Sequence, residues 1–259
     1  MYCNENVYQT PAPMKKITTI AIIFGLLGIA AIVFTIGSRS LTPEAHSNET
    51  TKFSETMHVQ PGSTIELPQP VTDGDMSLEE ALTLRRSVRS YTEEPLTLSE
   101  VSQLLWSAQG ITNERGFRTA PSAGATFPLE MFLVVNDVDD LERGLYHYHP
   151  DEHHLELMRE ADLAEPLYQA SMSQSMILDG GIVLVFGAVF ERTTERYGDR
   201  GIRYVHNEIG HASQNVHLQA AALDLGTVVI GAYDDDEVED ILQLGDQYNV
   251  LYLMPVGKQ

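Results

Sequence analysis

The chain has 259 residues, of which 43% are hydrophobic and 20% are charged, and this balance excludes wholesale disorder. Its 16 basic and 37 acidic residues give a net charge of −21, which repels phosphate backbones, so we expect no nucleic-acid partner. Cys3 is the only cysteine and lies near the N-terminus, which excludes a disulfide framework, a cysteine-ligated metal and a cysteine nucleophile from the main domain.

The first predicted element is a membrane-spanning helix. Residues 17–37, which follow a short N-terminal segment (1–16), carry no charge; 21 helical residues extend about 31 Å, enough to cross a hydrocarbon core of about 30 Å. Lys15 and Lys16 precede the span and Arg39 follows it, a bias that favours an extracytoplasmic main domain. A cleaved signal peptide is the alternative, but its apolar region is usually shorter and no clear cleavage site follows. We therefore expect a single-pass protein that contacts the lipid bilayer through this span.

A tether and one folded domain are predicted after the span. Residues 38–75 are rich in Ser, Thr, Pro, Glu and Gln and show no periodicity, which is typical of a flexible tether. Residues 76–259 then form the main domain, whose length suits a single hydrophobic core.

The main domain is predicted to mix helices and strands. Capping boxes at Ser77 and Thr97 begin two helices, the second of which ends at Gly110, before a loop rich in small residues. The later elements are a strand at 130–136, a hairpin at 144–149 and 154–159, a helix at 162–171, a strand at 182–190, a long helix at 201–223, a strand at 227–233, a helix at 236–244 and a strand at 248–256. Because helices and strands do not alternate strictly, the pattern favours an α+β fold with a central, mainly antiparallel sheet flanked by helices.

A basic segment lies at the end of the first helix. It consists of Arg85, Arg86, Ser87 and Arg89, and it holds three of the 13 basic residues of residues 40–259, whose net charge is −23. Guanidinium groups bind phosphate oxygens through paired hydrogen bonds, and a serine hydroxyl binds polar ligands. A solvated helix end whose charge suits the helix dipole is the alternative, and the residues alone leave both open.

A loop with little side-chain bulk, Ala120–Ala125, follows the second helix. Such a loop lets backbone amides approach a flat or anionic ligand closely. An ordinary turn is the alternative.

The long helix carries an apolar stripe and a polar stripe. The apolar stripe is the expected core face and consists of Val205, Ile209, Ala212, Val216 and Leu223. The polar stripe lies about 100° away and consists of Tyr204, Glu208, His211 and Asn215. These side chains suit an acid–base relay, in which we predict Tyr204 and His211 to be catalytic; a hydrogen-bonded structural network is the alternative.

Four histidines lie in the predicted hairpin: His147, His149, His153 and His154. His147 and His149 would share one face of a strand and could ligate a metal ion. No carboxylate is spaced convincingly to complete such a site. The pattern therefore favours an exposed polar hairpin, and we expect no metal.

Six short segments occur in order between Leu82 and Lys258. They are Arg85–Arg89, Leu104–Gly110, Ala120–Ala125, Gly144–Tyr148, Gly210–Asn215 and Pro255–Lys258. Together they resemble the nitroreductase-like FMN flavoprotein superfamily, in particular its SagB/ThcOx-type dehydrogenase branch. The resemblance covers most of the chain after the tether.

This resemblance implies a homodimer with two FMN molecules at the subunit interface and NAD(P)H as a transient electron donor. It places the phosphate, ribityl chain and pyrimidine side of FMN on Arg85, Arg86, Ser87 and Arg89. Lys258 matches a C-terminal basic residue that contacts the phosphate. The residues implied to face the flavin from the other protomer are Pro121, Ser122, Ala123, Gly124 and Ala125. Ile230 and Gly231 match the segment near the isoalloxazine ring.

The implied function is that of a membrane-tethered, FMN-dependent oxidoreductase, which transfers hydride or electrons between a reduced donor and a small-molecule acceptor. A non-catalytic flavin- or peptide-binding subunit at the membrane is one alternative, and an azoline dehydrogenase of peptide maturation is another. Some members of the branch oxidise azolines, and a Lys-Tyr pair is implicated there. The nearest match here is Arg203-Tyr204, and arginine stays protonated and cannot act as a base.

Overall fold

The computed structural model describes residues 60–259. The predicted N-terminal segment, the predicted membrane helix (17–37) and residues 38–59 of the predicted tether lie outside the described residues. Within residues 60–259, none of the helices combines the length and the apolar composition that crossing a bilayer requires.

The described residues form a seven-stranded sheet with helices on both faces. The strands are β1 Thr64–Glu66, β2 Leu129–Val135, β3 Gly144–His149, β4 His154–Arg159, β5 Ile182–Ala188, β6 Leu225–Thr227 and β7 Asn249–Lys258. The helices are α1 Leu78–Leu84, α2 Leu98–Gln109, α3 Ala164–Ala170, α4 Met176–Asp179, α5 Glu191–Tyr197, α6 Arg200–Ala222 and α7 Asp235–Leu242. Neighbouring strands pair antiparallel in the order β1-β4-β3-β2-β5-β7-β6. The predicted antiparallel sheet with flanking helices is confirmed.

The centre of the sheet is buried on both faces. Successive side chains of a strand point to opposite faces, so Met131 and Leu133 of β2 join one apolar cluster with α2 and α6. Phe132 and Val134 join a second cluster with α3 and α7. This arrangement explains why β2 and β5 consist almost entirely of apolar residues.

Local capping defines the first two helices. The hydroxyl of Ser77 accepts a hydrogen bond from the Glu80 backbone amide at 3.1 Å, where α1 begins. At α2 the Thr97 hydroxyl accepts from the Glu100 amide at 3.3 Å, while the Glu100 carboxylate accepts from the Thr97 amide at 2.8 Å. Both predicted N-cap residues are confirmed. The sequence reveals them because each capping signal lies within four consecutive residues.

The folded part begins earlier than the expected boundary at residue 76. Strand β1 lies inside the predicted tether (38–75) and pairs with β4, and Leu67 next to it is only 5% exposed. The Val71 amide also donates to the side-chain oxygen of Gln103 in α2 at 2.8 Å. A three-residue strand is too short to show a periodicity, so the sequence did not predict β1. Its conformation depends on pairing with β4, which lies far along the chain.

The structure also differs from the expected elements near residues 172–200 and 227–233. Helices α4 and α5 were not predicted, since each is short and contains no capping signal. Of the strand predicted at 227–233, only Thr227 lies in a strand, at the end of β6, because the chain then leaves the sheet except at a bridge between Ile230 and Leu253.

Candidate functional site

The basic segment and the C-terminal strand meet at one end of the sheet. The Val88 amide donates to the Thr227 carbonyl of β6 at 3.0 Å, and the Thr92 amide donates to the Lys258 carbonyl of β7 at 3.0 Å. The Tyr91 hydroxyl lies 3.1 Å from the Pro255 carbonyl and donates to it. Arg85–Arg89 and Lys258 therefore lie in the same region, although they come from opposite ends of the domain sequence.

Two glycines allow residues 88–91, at and just after the end of the basic segment, to lie directly against the sheet. A Cβ atom on Gly226 would be 2.7 Å from Cγ1 of Val88, and one on Gly257 would be 2.6 Å from Cγ of Tyr91. Neither distance is possible without movement of the segment. The close approach of the segment therefore requires glycine at both positions.

We expect Gly257→Ala to lower the free energy of unfolding by about 1–3 kcal/mol, because the new methyl group overpacks the contact with Tyr91. Urea unfolding measures this change. The matched control is Gly210→Ala in α6, where an added Cβ has nothing within 4 Å and alanine favours the helix by about 0.5–1 kcal/mol. If Gly257→Ala and Gly210→Ala changed the free energy of unfolding equally and in the same direction, the close contact between Gly257 and Tyr91 would be contradicted.

The guanidinium groups of the basic segment are accessible. Arg86 and Arg89 are exposed, as is Ser87, and Arg85 is half-buried. The Arg86 Nη1 atom donates to the Thr83 and Arg85 carbonyls at 2.9 and 2.7 Å. None of these three arginines forms an ion pair with a carboxylate of residues 60–259. The segment thus offers positive charge that the described residues do not neutralise.

A buried imidazole lies near this charge. His217 of α6 is 8% exposed, and its Nδ1 atom has no hydrogen-bond partner among the described residues. Burial lowers the pKa of His217, and the positive charge of Arg85 lowers it further. A neutral ring with an unsatisfied nitrogen is a polar group that a ligand could satisfy.

The side chain of Lys258 forms an ion pair that the sequence did not reveal. Its Nζ atom lies 2.6 Å from Oε1 of Glu100 and 4.0 Å from Oε1 of Glu94. The hydrogen bond to Glu100 raises the pKa of Lys258. Burial alone would raise the pKa of Glu100, but the hydrogen bonds from Lys258 and Thr97 hold it below its ordinary value. A phosphate at this position would have to share Lys258 with Glu100.

The loop with small side chains is held on α5. Residues Ala123–Ala125 form a single 3-10 turn, in which Gly124 has a φ of 63°. A Cβ on Gly124 would lie 2.5 Å from the Tyr197 hydroxyl oxygen, and Arg196 donates to the Gly124 carbonyl at 3.1 Å. The exposed members of the predicted flavin-facing set are Pro121, Gly124 and Ala125, while Ser122 and Ala123 are half-buried.

The polar stripe of α6 does not form a continuous network. Tyr204 is half-buried with its ring edge-on to Tyr197 at 5.1 Å, and Asn215 donates to the Thr119 carbonyl at 3.3 Å. His211 is exposed, and no hydrogen bond joins it to Tyr204 within the described part of the chain. The apolar stripe packs as expected: its first four members are at most 2% exposed and Leu223 is half-buried.

Glu208, between Tyr204 and His211 on this stripe, is only 2% exposed. Burial raises its pKa to about 7, against the opposing effects of hydrogen bonds from Ser122 and Ala123 and of the Arg118 charge. Its Oε1 atom has no partner among residues 60–259. A carboxylate that can hold or release a proton near neutral pH therefore lies behind the small-residue loop. The helical spacing of the stripe was the only sequence signal for it.

We expect Glu208→Gln to remove a pH dependence of stability. Because the folded-state pKa lies above the ordinary value of 4.5, the folded protein binds the extra proton, so its stability falls as pH rises from about 4.5 to about 7. The expected loss is about 2–3 kcal/mol over this range, from a shift of that size. Urea unfolding at several pH values should show this fall in the wild type and in Glu195→Gln, an exposed carboxylate control on α5. If the stability of Glu208→Gln fell by the same amount over this pH range, the raised pKa of Glu208 would be contradicted.

Ile230 and Gly231 lie where the chain leaves the sheet after β6. Ile230 exchanges two backbone hydrogen bonds with Leu253, at 2.8 and 3.0 Å, and is buried. Gly231 is exposed, and a Cβ there would lie 3.5 Å from the ring of Tyr252.

A cavity of about 510 Å³ borders α2 and α6. This volume is in the usual range for small-molecule sites. Its walls include residues 71–76, Glu100, Gln103, Trp106 and Gln219. None of the predicted flavin-contacting residues lines it, but Glu100 in its wall is the partner of Lys258. The resemblance implies a site shared between two protomers, and one chain would then present only half of it.

The sequence profile of the nitroreductase family matches residues 82–258. The chain belongs to the nitroreductase family. The match begins three residues before Arg85 and ends at Lys258, so it includes the basic segment and the strand that meets it. The resemblance stated from the sequence is confirmed.

Individual relatives agree with this assignment. MJ1384 of Methanocaldococcus jannaschii, which is named as a nitroreductase, is 47% identical over 198 residues, covering 76% of this chain and 98% of that protein. The microcin B17-processing protein McbC of Escherichia coli is 30% identical over 150 residues, covering 53% of this chain and 52% of McbC. A crystal structure described as a nitroreductase from Anabaena variabilis has a TM-score of 0.68 at 29% identity, covering 76% of this chain and 41% of that chain. The chain therefore has relatives in both the nitroreductase and the SagB-type groups and shares the nitroreductase-like fold.

Proposed function

We propose that this nitroreductase-family protein is an FMN-dependent oxidoreductase that works as a homodimer and passes hydride or electrons from NAD(P)H to a small acceptor. Family membership supports the oxidoreductase class. The observation that carries the FMN proposal is that residues 88–92 run along one end of the sheet, where the Val88 amide donates to β6 and the Thr92 amide donates to the Lys258 carbonyl of β7. Residues 40–259 carry a net charge of −23, whose average field repels a phosphate, so a phosphate site needs positive charge concentrated locally.

The residues present fit such a cofactor. The basic segment offers guanidinium groups without carboxylate partners among the described residues, and the unsatisfied Nδ1 atom of His217 lies buried near Arg85. In this proposal Arg85 and Lys258 hold the phosphate, while Arg86, Ser87 and Arg89 bind the ribityl chain and pyrimidine side. Ile230 and Gly231 adjoin the flavin ring, and the small residues Pro121–Ala125 of the second protomer cover it. When bound, FMN supplies the ability to accept and donate a hydride.

The chain's own residues would position substrate and move protons. The half-buried Tyr204 and the exposed His211 provide two proton donors on the polar stripe, one on each side of Glu208. Between them, Glu208 can hold a proton near neutral pH because it is buried. Its contact with Ser122 and Ala123 would couple that proton to the loop that we place over the flavin.

The test is the absorption spectrum of the purified full-length protein, followed by anaerobic titration with NADH and NADPH. We expect a bound flavin spectrum that bleaches with one of the two donors. A flavin that resists every donor would favour the non-catalytic subunit, and failure to bind FMN at saturating concentration would contradict the proposal.

Similarity to McbC favours azoline oxidation as a second candidate, since McbC is named as a microcin-processing protein. The pair Arg203-Tyr204 argues against it, because Arg203 is exposed and its guanidinium cannot act as a base. Incubation with an azoline-containing peptide and analysis by mass spectrometry separates the two: a loss of two mass units per ring would favour this second candidate.

We also propose that residues 17–37 anchor the protein in a membrane and that the domain lies outside the cytoplasm. The uncharged 21-residue run and the preceding Lys15 and Lys16 support this topology. Protease added to spheroplasts is expected to digest the domain, and complete protection with intact membranes would reverse the topology.

A further inference from the structure

Three adjacent strands, β2, β3 and β4, bring imidazole and carboxylate groups together, and none of the three contains a proposed flavin residue. His147 of β3 is paired in register with Phe132 of β2 and with Glu156 of β4, and His149 is paired with His154. The ring of His147 stacks on Phe132 at 4.6 Å between centroids, and Phe132 belongs to the apolar cluster packed on α3 and α7. The group therefore lies on the sheet face opposite α2 and α6.

The ligand atoms in this group are close enough to share an ion. One nitrogen of His147, one nitrogen of His149 and one carboxylate oxygen of Glu156 all lie within 4.8 Å of one another. His149 Nε2 and Glu156 Oε2 are already 3.0 Å apart. Ligand atoms around Zn²⁺ lie about 2.0–2.2 Å from the ion, which places them roughly 3–4 Å from each other. Small side-chain rotations are thus sufficient to bring the three groups around one ion.

A second carboxylate contacts His147, which is more buried than His149. Glu130 of β2 lies 3.0 Å from His147 Nε2 through its Oε2 atom and 2.6 Å from Arg192 Nη1 through its Oε1 atom. Metal-binding histidines commonly donate their second ring nitrogen to such a carboxylate, which fixes the ring and raises its basicity. Because Arg192 compensates the charge of Glu130, Glu156 is the carboxylate left to supply charge to a cation.

The side chains of the group differ in their exposure to solvent, and the exposed side gives an ion access to the ligand atoms. The side chains of Glu130 and His147 are 15% and 16% exposed, whereas those of His149 and Glu156 are 33% and 44% exposed. His154, which is 11% exposed, stacks against His149 at 4.7 Å and limits the movement of its ring. The inner side is rigid and the outer side is open to water, which can complete the coordination.

We propose that His147, His149 and Glu156 bind a divalent transition-metal ion such as Zn²⁺, with Glu130 as a positioning residue for His147. Two nitrogen ligands and one oxygen ligand suit Zn²⁺, whereas Mg²⁺ and Ca²⁺ prefer oxygen ligands alone. The ion would join β3 to β4 and, through Glu130, to β2. This proposal departs from the expectation of an exposed hairpin without metal, because the sequence did not reveal that β2 and β4 supply carboxylates.

The test is calorimetric titration of ZnCl₂ into the metal-free, tag-free full-length protein, at a pH at which imidazoles are neutral. We expect one Zn²⁺ per chain and a rise in the unfolding temperature, since an ion that binds only the folded state stabilises it. Mg²⁺ should produce neither effect. His149→Ala and Glu156→Gln are expected to weaken Zn²⁺ binding by at least about 100-fold and Glu130→Gln by about 10- to 100-fold.

The control is His206→Ala, which removes an exposed histidine of α6 and should leave Zn²⁺ binding unchanged. His46 and His58 lie outside the described residues and are present in every variant, so they cannot create a difference between variants. Co²⁺ added to the wild type gives a second readout that needs no variant, because nitrogen and oxygen ligands in a low-symmetry site produce visible absorption bands. Absence of stoichiometric Zn²⁺ binding and of Co²⁺ bands in the wild type would overturn the proposal. Equal Zn²⁺ affinity in His149→Ala and His206→Ala would also overturn it.

Discussion

Arg85→Ala is expected to weaken FMN binding by about 10- to 150-fold, because a charge-assisted hydrogen bond contributes roughly 1.5–3 kcal/mol. The net charge of −23 on residues 40–259 makes each cation near a phosphate important, and the remaining attraction should weaken further at high salt. Titration of flavin-free protein with FMN, followed by quenching of flavin fluorescence, measures the change. Arg115→Ala, an exposed arginine of the loop after α2, is the matched control and should bind FMN normally.

Lys258 requires a different design because it is already paired with Glu100. Deletion of Lys258 and Gln259 should also give flavin-poor protein, but it removes the hydrogen bond from the Thr92 amide to the Lys258 carbonyl as well. Lys258→Gln keeps that backbone contact and is expected to weaken FMN binding over the same range as Arg85→Ala. Glu100→Gln should strengthen FMN binding, because it releases the ammonium group for the phosphate. If Lys258→Gln and Glu100→Gln both bound FMN with unchanged affinity, the role of Lys258 would be only structural, through the ion pair that joins β7 to α2.

Tyr204→Phe and His211→Ala are each expected to lower turnover by about 10²–10⁴-fold while FMN stays bound, because loss of a positioned proton donor has effects of this size. Both side chains lie on α6, whereas the residues that we assign to the phosphate follow α1 and end β7. Stopped-flow reduction and reoxidation of the flavin measure the two half-reactions separately.

His206→Ala is the control for this pair, since His206 is exposed on the same helix and lies outside the polar stripe. A loss of turnover in only one of the two variants would assign proton transfer to that residue. Normal turnover in both would return the stripe to a structural role, with Tyr204 packed against Tyr197 and Asn215 bonded to the Thr119 carbonyl.

The parts of the fold that sequence predicts well depend on local signals. The helix starts at Ser77 and Thr97 and the hairpin 144–159 involve residues that are close along the chain, and the structure reproduces all three, although the full reciprocal capping box forms only at Thr97. The long helix also follows from its apolar spacing, because the stripe from Val205 to Leu223 extends over about five turns. Strand β1 has no such signal, since its three residues gain their conformation only by pairing with β4.

In the candidate site, too, the sequence indicates some features, whereas others depend on contacts between distant residues. Resemblance to a known family identifies the basic segment and Lys258 as partners. In the structure the Thr92 amide, three residues after Arg89, bonds the Lys258 carbonyl. The ion pair of Lys258 with Glu100 spans 158 positions and leaves no trace in spacing or composition. The carboxylates of Glu130 and Glu156 were missed for a related reason: their approach to His147 and His149 depends on strand register and side-chain orientation across three strands.

The central claim is that the basic segment and Lys258 bind a flavin phosphate, and a comparison of FMN with riboflavin tests it most directly, because riboflavin lacks only the phosphate. The wild type should bind FMN at least about 10-fold more tightly than riboflavin, in line with one or more charge-assisted hydrogen bonds. In Arg85→Ala most of this preference should disappear, while riboflavin affinity stays the same. An equal preference for FMN in the wild type and in Arg85→Ala would contradict the account.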